Sequence, residues 1–333
     1  MSRDIITLAH GGGGRLQNEL IAEEILPRFG GGALRGLPDA ARVPGGEELL
    51  VTTDSFVVTP RFFPGGDIGK LAVVGTVNDL LVAGGIPRYL TLSLIIEDGF
   101  RRKELGRILD SVKSAALECG VEIVAGDTKV VPRGAADGIY LNTAGIGVRN
   151  PALELGRSRF SAGDRLLVSG GVGEHGFTIL AARHGIATPG LESDCAPLTE
   201  VVGAALALAG NAVKFMRDAT RGGVGGVISE IIGDAFDARL DGEALPRSGA
   251  VRTLEKMFGI ESWFSACEGR LVMVAEAAGA EAILEAWRKL ECGRLAADLG
   301  ELSPGDGRMI VAGEWGGGRL LTLPSGEQMP RIC

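Results

Sequence analysis

Glycine is the residue that most constrains how this chain folds. It occupies 53 of the 333 positions and gathers in clusters between apolar runs. That share is more than twice the roughly 7% of average proteins. The absence of a Gly-X-Y period excludes a collagen-like triple helix. Because glycine permits tight turns and close approach of the backbone to a ligand, the sequence predicts a globular protein with many turns and backbone-lined pockets.

Composition and charge narrow the class of protein. Apolar residues make up 45% and charged residues 23% of the chain, as in ordinary soluble proteins. The length favours two domains. The formal net charge is −8 and no strongly basic stretch occurs, so no nucleic-acid partner is expected. A polyphosphate ligand would need a divalent metal ion, because carboxylates and phosphates repel each other.

The apolar runs and the cysteines predict a cytoplasmic protein without a membrane partner. The longest uncharged apolar run, 201–210, is well below the roughly 18 residues of a membrane span. The first apolar run, Ile5–Ala9, is too short for a signal peptide. The cysteine count of 5 is odd and no pair has C-x-x-C spacing, so we expect a reducing compartment and no disulfide framework.

Strand and helix patterns alternate along the chain, which predicts an α/β (α+β) fold. The parts are a Gly-rich segment at 1–46, domains at 47–150 and 151–318, and a polar, mobile tail at 319–333. The predicted strands are 48–58, 89–96, 121–125, 138–148, 164–169 and 270–275, with short strands after 304. The predicted helices are 16–26, 67–83, 103–119, 174–184, 197–208, 223–236 and 278–290.

The first candidate site is the glycine run after His10, formed by Gly11, Gly12, Gly13 and Gly14. Consecutive glycines let backbone N–H groups close on a phosphate, and a helix that begins just after them adds its dipole. The run is not a Walker A loop, since no Gly-Lys-Ser/Thr follows. An irregular amino-terminal segment is the alternative, and spacing alone does not separate the two.

Three carboxylates, Asp54, Asp79 and Asp127, lie at or near the ends of predicted elements. They suit Mg²⁺, which takes one or two carboxylates together with phosphate oxygens and water. Asp79 falls inside an otherwise apolar helix, where an unpaired charge is costly. Separate caps and salt bridges are the alternative, and spacing alone favours that alternative for any one of the three.

The segment 126–131 brings an acid and a base together. A predicted strand ends at Gly126 and delivers Asp127 and Lys129. A lysine there supplies a positive charge for a phosphate oxygen or, with a lowered pKa, a proton-transfer group. A surface turn is the alternative.

The segment 217–223 opens a predicted helix. Asp218 or Thr220 is placed to cap that helix, and Arg221 beside a Gly-Gly helix start forms an anion site.

The last residue, Cys333, ends a polar arm. A thiol on such an arm accepts a group and carries it into a pocket, provided that the pocket or a base generates the thiolate. A chance terminal residue is the alternative. His175 and His184 have no metal-ligand spacing to a cysteine and are interpreted as structural.

Taken together, these segments resemble the hydrogenase-maturation carbamoyl dehydratases, the HypE family. The resemblance runs from about His10 to Cys333, and the combination of motifs is specific although each motif alone is weak. It rests on TTDSFVV (52–58), FFPGGDIG (62–69), GTVNDL (75–80), IIE (95–97), GDTKVV (126–131), NTAGIG (142–147) and the closing PRIC (330–333).

The resemblance implies a two-domain aminoimidazole ribonucleotide synthetase-like fold. Its N-terminal domain would pair across a two-fold axis into a homodimer with a β-barrel-like interface, with ATP and Mg²⁺ nearby. Its C-terminal α+β domain would close the cleft.

The resemblance also implies an ATP-dependent lyase that acts on its own tail. A carbamoyltransferase partner would load Cys333 as an S-carboxamide. ATP would phosphorylate the carboxamide oxygen, and loss of phosphate and of the N–H protons would leave a thiocyanate. A scaffold complex would then accept the cyano group for the iron centre of nickel–iron hydrogenase.

Site roles follow from the same resemblance. Asp54, Asp79 and Asp127 resemble the metal–phosphate acids. Lys129 and Glu268 lie near the reacting group, and which of them is the base stays open. The cofactor-binding residues would be His10, Gly11, Gly12, Gly13, Asp127, Asp218 and Arg221. Two positions depart from the family: Cys267 stands where Asn is usual, and Ala219 stands where proline is frequent.

Two other functions compete with this one. A superfamily relative acting on a free small molecule would not need Cys333, and a selenophosphate synthetase would carry a reactive cysteine near the glycine run, whereas no cysteine precedes Cys119. A passive carrier that only presents Cys333 would not need a phosphate site with Asp127 and Lys129.

Overall fold

A computed structural model of the chain describes residues 5–7, 19–29, 48–312, 317–324, 329 and 332–333. His10 and the run Gly11, Gly12 and Gly13 lie outside the described residues, so the phosphate loop stays a prediction. A π-helical turn, Ile21–Ile25, leads into the first helix. In the described ranges, no helix combines the length and apolar character that a membrane span requires.

The elements alternate as the sequence pattern predicts. The helices are α1 (Leu26–Phe29), α2 (Ile68–Val82), α3 (Arg102–Cys119), α4 (Glu174–Arg183), α5 (Thr199–Ala209), α6 (Gly223–Ile232), α7 (Gly249–Phe258) and α8 (Ala277–Arg288). The strands are β1 (Leu49–Phe56), β2 (Phe62–Phe63), β3 (Gly66–Asp67), β4 (Gly85–Glu97), β5 (Glu122–Val131), β6 (Ile139–Arg149), β7 (Arg165–Val168), β8 (Val213–Asp218), β9 (Phe236–Asp241), β10 (Leu271–Ala275), β11 (Ala297–Pro304), β12 (Met309–Ala312) and β13 (Gly318–Leu321).

The first sheet has the strand order β1-β6-β4-β5, in which β4 and β5 run parallel and the other pairs antiparallel. Helix α2 lies against β1, β6 and β4 and also packs on α3. It is apolar around most of its circumference, as expected of a helix buried between layers. Asp67 caps it by accepting hydrogen bonds from the backbone N–H groups of Gly69 and Lys70, at 2.7 and 3.2 Å, as predicted.

The other face of the first sheet is only partly covered by the described part of this chain. Along β6 buried and half-buried residues alternate, and the half-buried set points away from α2. Four large apolar side chains on this face or at its ends are exposed: Leu49 47%, Val51 71%, Ile86 48% and Ile95 42%. A sheet face of this kind is an apolar patch suited to a partner surface.

The second sheet has seven strands in the order β13-β12-β9-β11-β7-β10-β8. Alternate side chains of β7 and β10 join two different apolar clusters, one that includes α4, α5 and α8 and one that includes α6. The sheet is therefore buried on both faces. The sequence prediction missed β8, β9 and β11 of this sheet, and it also missed helix α7.

Two expectations from the sequence differ from the structure. The strand predicted to end before Gly126 continues as β5 to Val131, because β5 stays paired with β4 as far as Glu97. The tail predicted to be mobile from 319 contains part of β13, which pairs with β12. Near the end of the chain, Met329 and Ile332 are buried, with 6% and 3% exposure.

Candidate active site

Carboxylates from both sheets converge where the two domains meet. They are Asp54 on β1, Asp79 on α2, Asp218 at the end of β8 and Glu268 just before β10. Each carboxylate acts on the others electrostatically: Asp79 raises the pKa of Asp54 and Asp218, and these two raise that of Glu268. We call these four residues the acidic cluster.

Asp54 and Asp79 face each other between β1 and α2. Thr76 donates a hydrogen bond to Asp54 through its hydroxyl at 3.2 Å, and Thr52 donates one to Asp79 at 2.7 Å. Burial, and then the charge of Asp79, raises the pKa of Asp54 to about 6. Two adjacent carboxylates that repel each other in this way form a donor set that suits a divalent cation.

Within the described residues, no three His, Cys, Asp or Glu side chains are arranged to hold a metal ion. The Asp54 and Asp79 pair still fits Mg²⁺, which completes its shell with phosphate oxygens and water. The third predicted ligand, Asp127, does not join the Asp54 and Asp79 pair of its own chain.

Asp127 and Lys129 lie on the opposite face of the first sheet. The backbone register aligns Asp127 with Ser93, Asn142 and Ser55, whereas Asp54 is aligned with Gly126. β1 and β5 are the two edges of the sheet, so about 14 Å separates them at the spacing of paired strands. Lys129 Nζ is 4.0 Å from Asp127 Oδ2 and both side chains are mostly exposed, so this ion pair is weak.

Asp218 is an almost fully buried member of the acidic cluster. Burial, and then the charge of Asp79, raises the pKa of Asp218 to about 7. The sequence prediction that Asp218 or Thr220 caps α6 is wrong: the helix begins after Gly222, whose φ of 81° only glycine adopts easily, and no described side chain caps it.

We expect Asp218→Asn to stabilise the protein at alkaline pH. A carboxyl whose pKa is raised on folding binds its proton more tightly in the native state, so stability falls as pH rises from about 4 to about 7. The neutral amide removes that loss. Urea unfolding at pH 8 should show a gain of about 1–3 kcal/mol, and at pH 4.5 much less. The exposed Asp234→Asn is the control; a gain that does not change with pH would contradict the assignment.

Glu268 is the most deeply placed member of the cluster. Its side chain is 3% exposed, and its Oε1 atom has no hydrogen-bond partner among the described residues. Burial, and then the charge of Asp194, raises its pKa well above the usual value, while Arg221 lowers it. Arg221 is exposed and also lowers the pKa of Asp54. A buried carboxyl with an unpaired oxygen is suited to accept a proton or a hydrogen bond from a ligand.

The backbone around Glu268 is fixed by Asp194. The two carboxylate oxygens of Asp194 accept hydrogen bonds from the N–H groups of Glu268 and Gly269, at 3.1 and 3.3 Å. A Cβ at Gly269 would lie 1.9 Å from the Asp194 carbonyl oxygen, so only glycine fits this approach. Sequence reasoning missed Asp194, which has no motif around it.

Asn78 joins the two domains at the same point. Its Nδ2 donates to the carbonyl oxygens of Ala196 and Glu268, at 3.2 and 3.3 Å, and its Oδ1 accepts from Leu198 N–H at 2.9 Å. The side chain is 1% exposed. A sequence signal was present, because Asn78 is a polar residue next to Asp79 in an apolar helix.

Cys267, where the resemblance leads us to expect asparagine, is fully buried. The Gly173 N–H donates to its sulfur at 3.2 Å, and the thiol lies 3.7 Å from the Ser265 carbonyl oxygen. Burial raises the pKa of this thiol well above its usual value, so it acts as a packing group.

The end of the chain docks against the segment that follows β1. The Val57 N–H donates to the Cys333 carbonyl oxygen at 3.2 Å, and Val57 follows Asp54 closely enough that at most about 10 Å of backbone separates them. All five cysteines lie in the described ranges and none forms a disulfide. The terminal cysteine is therefore held just past the end of β1, the strand that carries Asp54, and its role as a carrier stays a prediction.

The sequence matches two family models, AIR synthase related protein, N-terminal domain, over 37–149 and the C-terminal domain over 161–312. It is 41% identical over 332 residues to carbamoyl dehydratase HypE of Bradyrhizobium diazoefficiens, covering 98% of this chain and 96% of that protein. The crystal structure of hydrogenase maturation protein HypE in complex with ATP superposes with a TM-score of 0.93 at 39% identity, covering 98% and 99% of the two chains. HypE in a HypE–HypF complex superposes with a TM-score of 0.78 at 39% identity, covering 92% and 99%.

Proposed function

We propose, from the premise that this chain belongs to the HypE family of carbamoyl dehydratases, that it uses ATP to dehydrate a carbamoyl group carried on Cys333. The product is a thiocyanate that supplies cyanide ligands for nickel–iron hydrogenase. Two observations carry the proposal: the Cys333 carbonyl is held at Val57, just past the strand that bears Asp54, and the buried Oε1 of Glu268 in the acidic cluster has no partner in the described chain. The proposed reaction would bring this thiol and this carboxyl together.

The proposed reaction transfers the carboxamide oxygen to phosphate. The carboxamide oxygen attacks the γ-phosphorus of ATP and releases ADP. The C–O bond then breaks and phosphate departs with that oxygen. The nitrogen loses both protons as the C–N triple bond forms. Phosphorylation converts a poor leaving group into a good one, which is why ATP is needed.

Residues of this chain would divide the work. Glu268 accepts a proton from the carboxamide nitrogen at its unpartnered Oε1, once the bound ligand holds the carboxyl in its ionised form. Arg221 and Asp218 line the path of the phosphate and set the local charge. Asp54 and Asp79 would hold Mg²⁺, which neutralises phosphate charge when it is bound. The predicted loop of His10 and the following glycines would contact the phosphates.

We also propose that two copies pair through the partly covered face of the first sheet. Val51 is 71% exposed there, beside its neighbour Ile146 on β6. Asp127 and Lys129 lie on this same face at the β5 edge. Pairing across a two-fold axis would bury the apolar residues in a barrel-like interface and let Asp127 and Lys129 serve a nucleotide at the junction. This arrangement accounts for their distance from the acidic cluster of their own chain.

The proposed partners follow from the chemistry. A relative has been solved in a HypE–HypF complex, which supports a carbamoyltransferase that loads Cys333. The cyano group would pass to a scaffold complex in the cytoplasm.

The test is the intact mass of the protein after loading, before and after adding ATP and Mg²⁺, with Cys333→Ala as control. We expect one carbamoyl group to be gained and one water then lost only with ATP, and neither change in the control. Loading without the loss would indicate a passive carrier. ATP turnover without loading would indicate a small-molecule synthetase.

A further inference from the structure

We propose that His175 is a positioning residue that holds the carboxyl-terminal segment in the site through its Nε2–H. The inference rests on the proposed role of Cys333 as the carrier. His175 lies in the first turn of α4 and is fully buried. Its Nε2 atom is 2.7 Å from the carbonyl oxygen of Ile332, the residue before Cys333.

The hydrogen bonds decide which nitrogen carries the proton. A backbone carbonyl only accepts, so the Nε2 atom must donate to Ile332. The Nδ1 atom is 2.7 Å from the Ser193 hydroxyl oxygen. That oxygen already accepts from the Cys195 N–H at 3.1 Å, so its own proton is available for Nδ1. A neutral imidazole with its proton on Nε2 satisfies both contacts.

Burial supports this assignment. It lowers the pKa of His175, whereas the Ile332 carbonyl and Asp194 oppose that change and Arg183 adds to it. The Phe63 ring packs edge-on against the imidazole at 5.4 Å between centroids. A neutral donor fixed at both nitrogens holds a single orientation.

Ser193 is itself held from the first domain. Its N–H donates to the Pro64 carbonyl oxygen at 2.9 Å. A Cβ at Gly65, whose φ is 87°, would lie 2.6 Å from the Ser193 carbonyl oxygen. A continuous series of hydrogen bonds thus runs from Pro64 through Ser193 and His175 to the tail.

Gly176, the residue next to His175 on α4, also lies against the tail. A Cβ at Gly176 would lie 2.9 Å from the sulfur of Met329 and closer still to the Ser265 hydroxyl. The Ser265 hydroxyl is 3.8 Å from that sulfur. The start of α4 therefore contacts the tail twice, through Gly176 at Met329 and through His175 at Ile332. His175 holds the Ile332 carbonyl and the Val57 N–H holds the Cys333 carbonyl, so the chain end is hydrogen-bonded at two successive residues.

Alkylation of Cys333 by iodoacetamide tests the inference without ATP or a partner. His175→Met removes the donor, and we expect Cys333 to react about tenfold faster or more, because the Ile332 carbonyl loses its partner. His175→Gln places an amide N–H close to the position of Nε2 and should react within about threefold of the unaltered protein. Cys292 lies outside the tail and is unchanged in these variants. Its alkylation, measured in the same proteolytic digest, is the reference for that of Cys333.

Ser193→Ala keeps the imidazole and removes the hydroxyl that orients it, and should speed alkylation about three- to tenfold. This variant decides the question if His175→Met fails to fold, as judged by circular dichroism. Unchanged Cys333 reactivity in folded His175→Met, or in Ser193→Ala, would overturn the inference.

A second readout connects the contact to catalysis. Carbamoyl loading should be unaffected in His175→Met, while single-turnover loss of water should slow about tenfold or more and recover in His175→Gln. Equal rates in His175→Met and unaltered protein would overturn a positioning role. If the loaded, unaltered protein shows no ATP-dependent loss of water, the proposed function fails. The alkylation experiment would still test the His175 contact independently.

Discussion

Replacing Glu268 by Gln is expected to leave loading of Cys333 intact and to slow the ATP-dependent loss of water by about 10²–10⁴-fold. Glutamine keeps the size of the side chain and its place beside Asp194, but it cannot accept the carboxamide proton. Burial raises the pKa of Glu268, which makes the carboxylate a stronger base than an exposed glutamate once the ligand draws it into the ionised form. Single-turnover mass spectrometry of the loaded protein measures the rate.

The matched control is Glu255→Gln in α7, where the carboxylate is partly buried and pairs with Arg247 at 3.4 Å, away from the cluster. It should dehydrate at the normal rate. A Glu268→Gln protein that keeps normal dehydration would assign the proton transfer elsewhere, with Lys129 as the next residue to replace by Ala.

Replacing Val51 by Arg is expected to separate the proposed homodimer and, with it, abolish most ATP turnover. A two-fold interface contains the substituted residue of both copies. Two buried charges without partners would therefore oppose association. We expect the dissociation constant to rise about 100-fold or more. ATP turnover should fall at least about tenfold at protein concentrations below that constant, because Asp127 and Lys129 would no longer reach a site at the junction. Sedimentation velocity and ADP release measure the two effects.

Met257→Arg is the control for this variant. Met257 is a comparably exposed apolar residue, 64% against 71% for Val51, but it lies on α7 in the second domain. It should leave both the association state and turnover unchanged. If unaltered protein sediments as a monomer, or if Val51→Arg stays dimeric, the sheet face is not the interface.

Features that depend on neighbours along the chain could be predicted from the sequence. Asp67 was identified as the cap of α2, and the amphipathic pattern gave α3 to within one residue at its start. These features depend on local hydrogen bonds and a helical period, which the sequence displays directly. The motif order also identified the family, and the position of Asp79 in an apolar helix indicated that this acid needs neighbours.

Only the tertiary structure decided which candidates share a site. Asp127 was grouped with Asp54 because both lie at or near the ends of predicted elements, but pairing register places them on opposite faces of one sheet. β5 did not end at Gly126, because continued pairing with β4 outweighs the local preference of glycine for a turn. Asn78 contacts Glu268 across 190 positions of sequence, and His175 contacts Ile332 across 157. Such contacts arise from how buried polar groups find partners in the folded chain, and no local pattern encodes them.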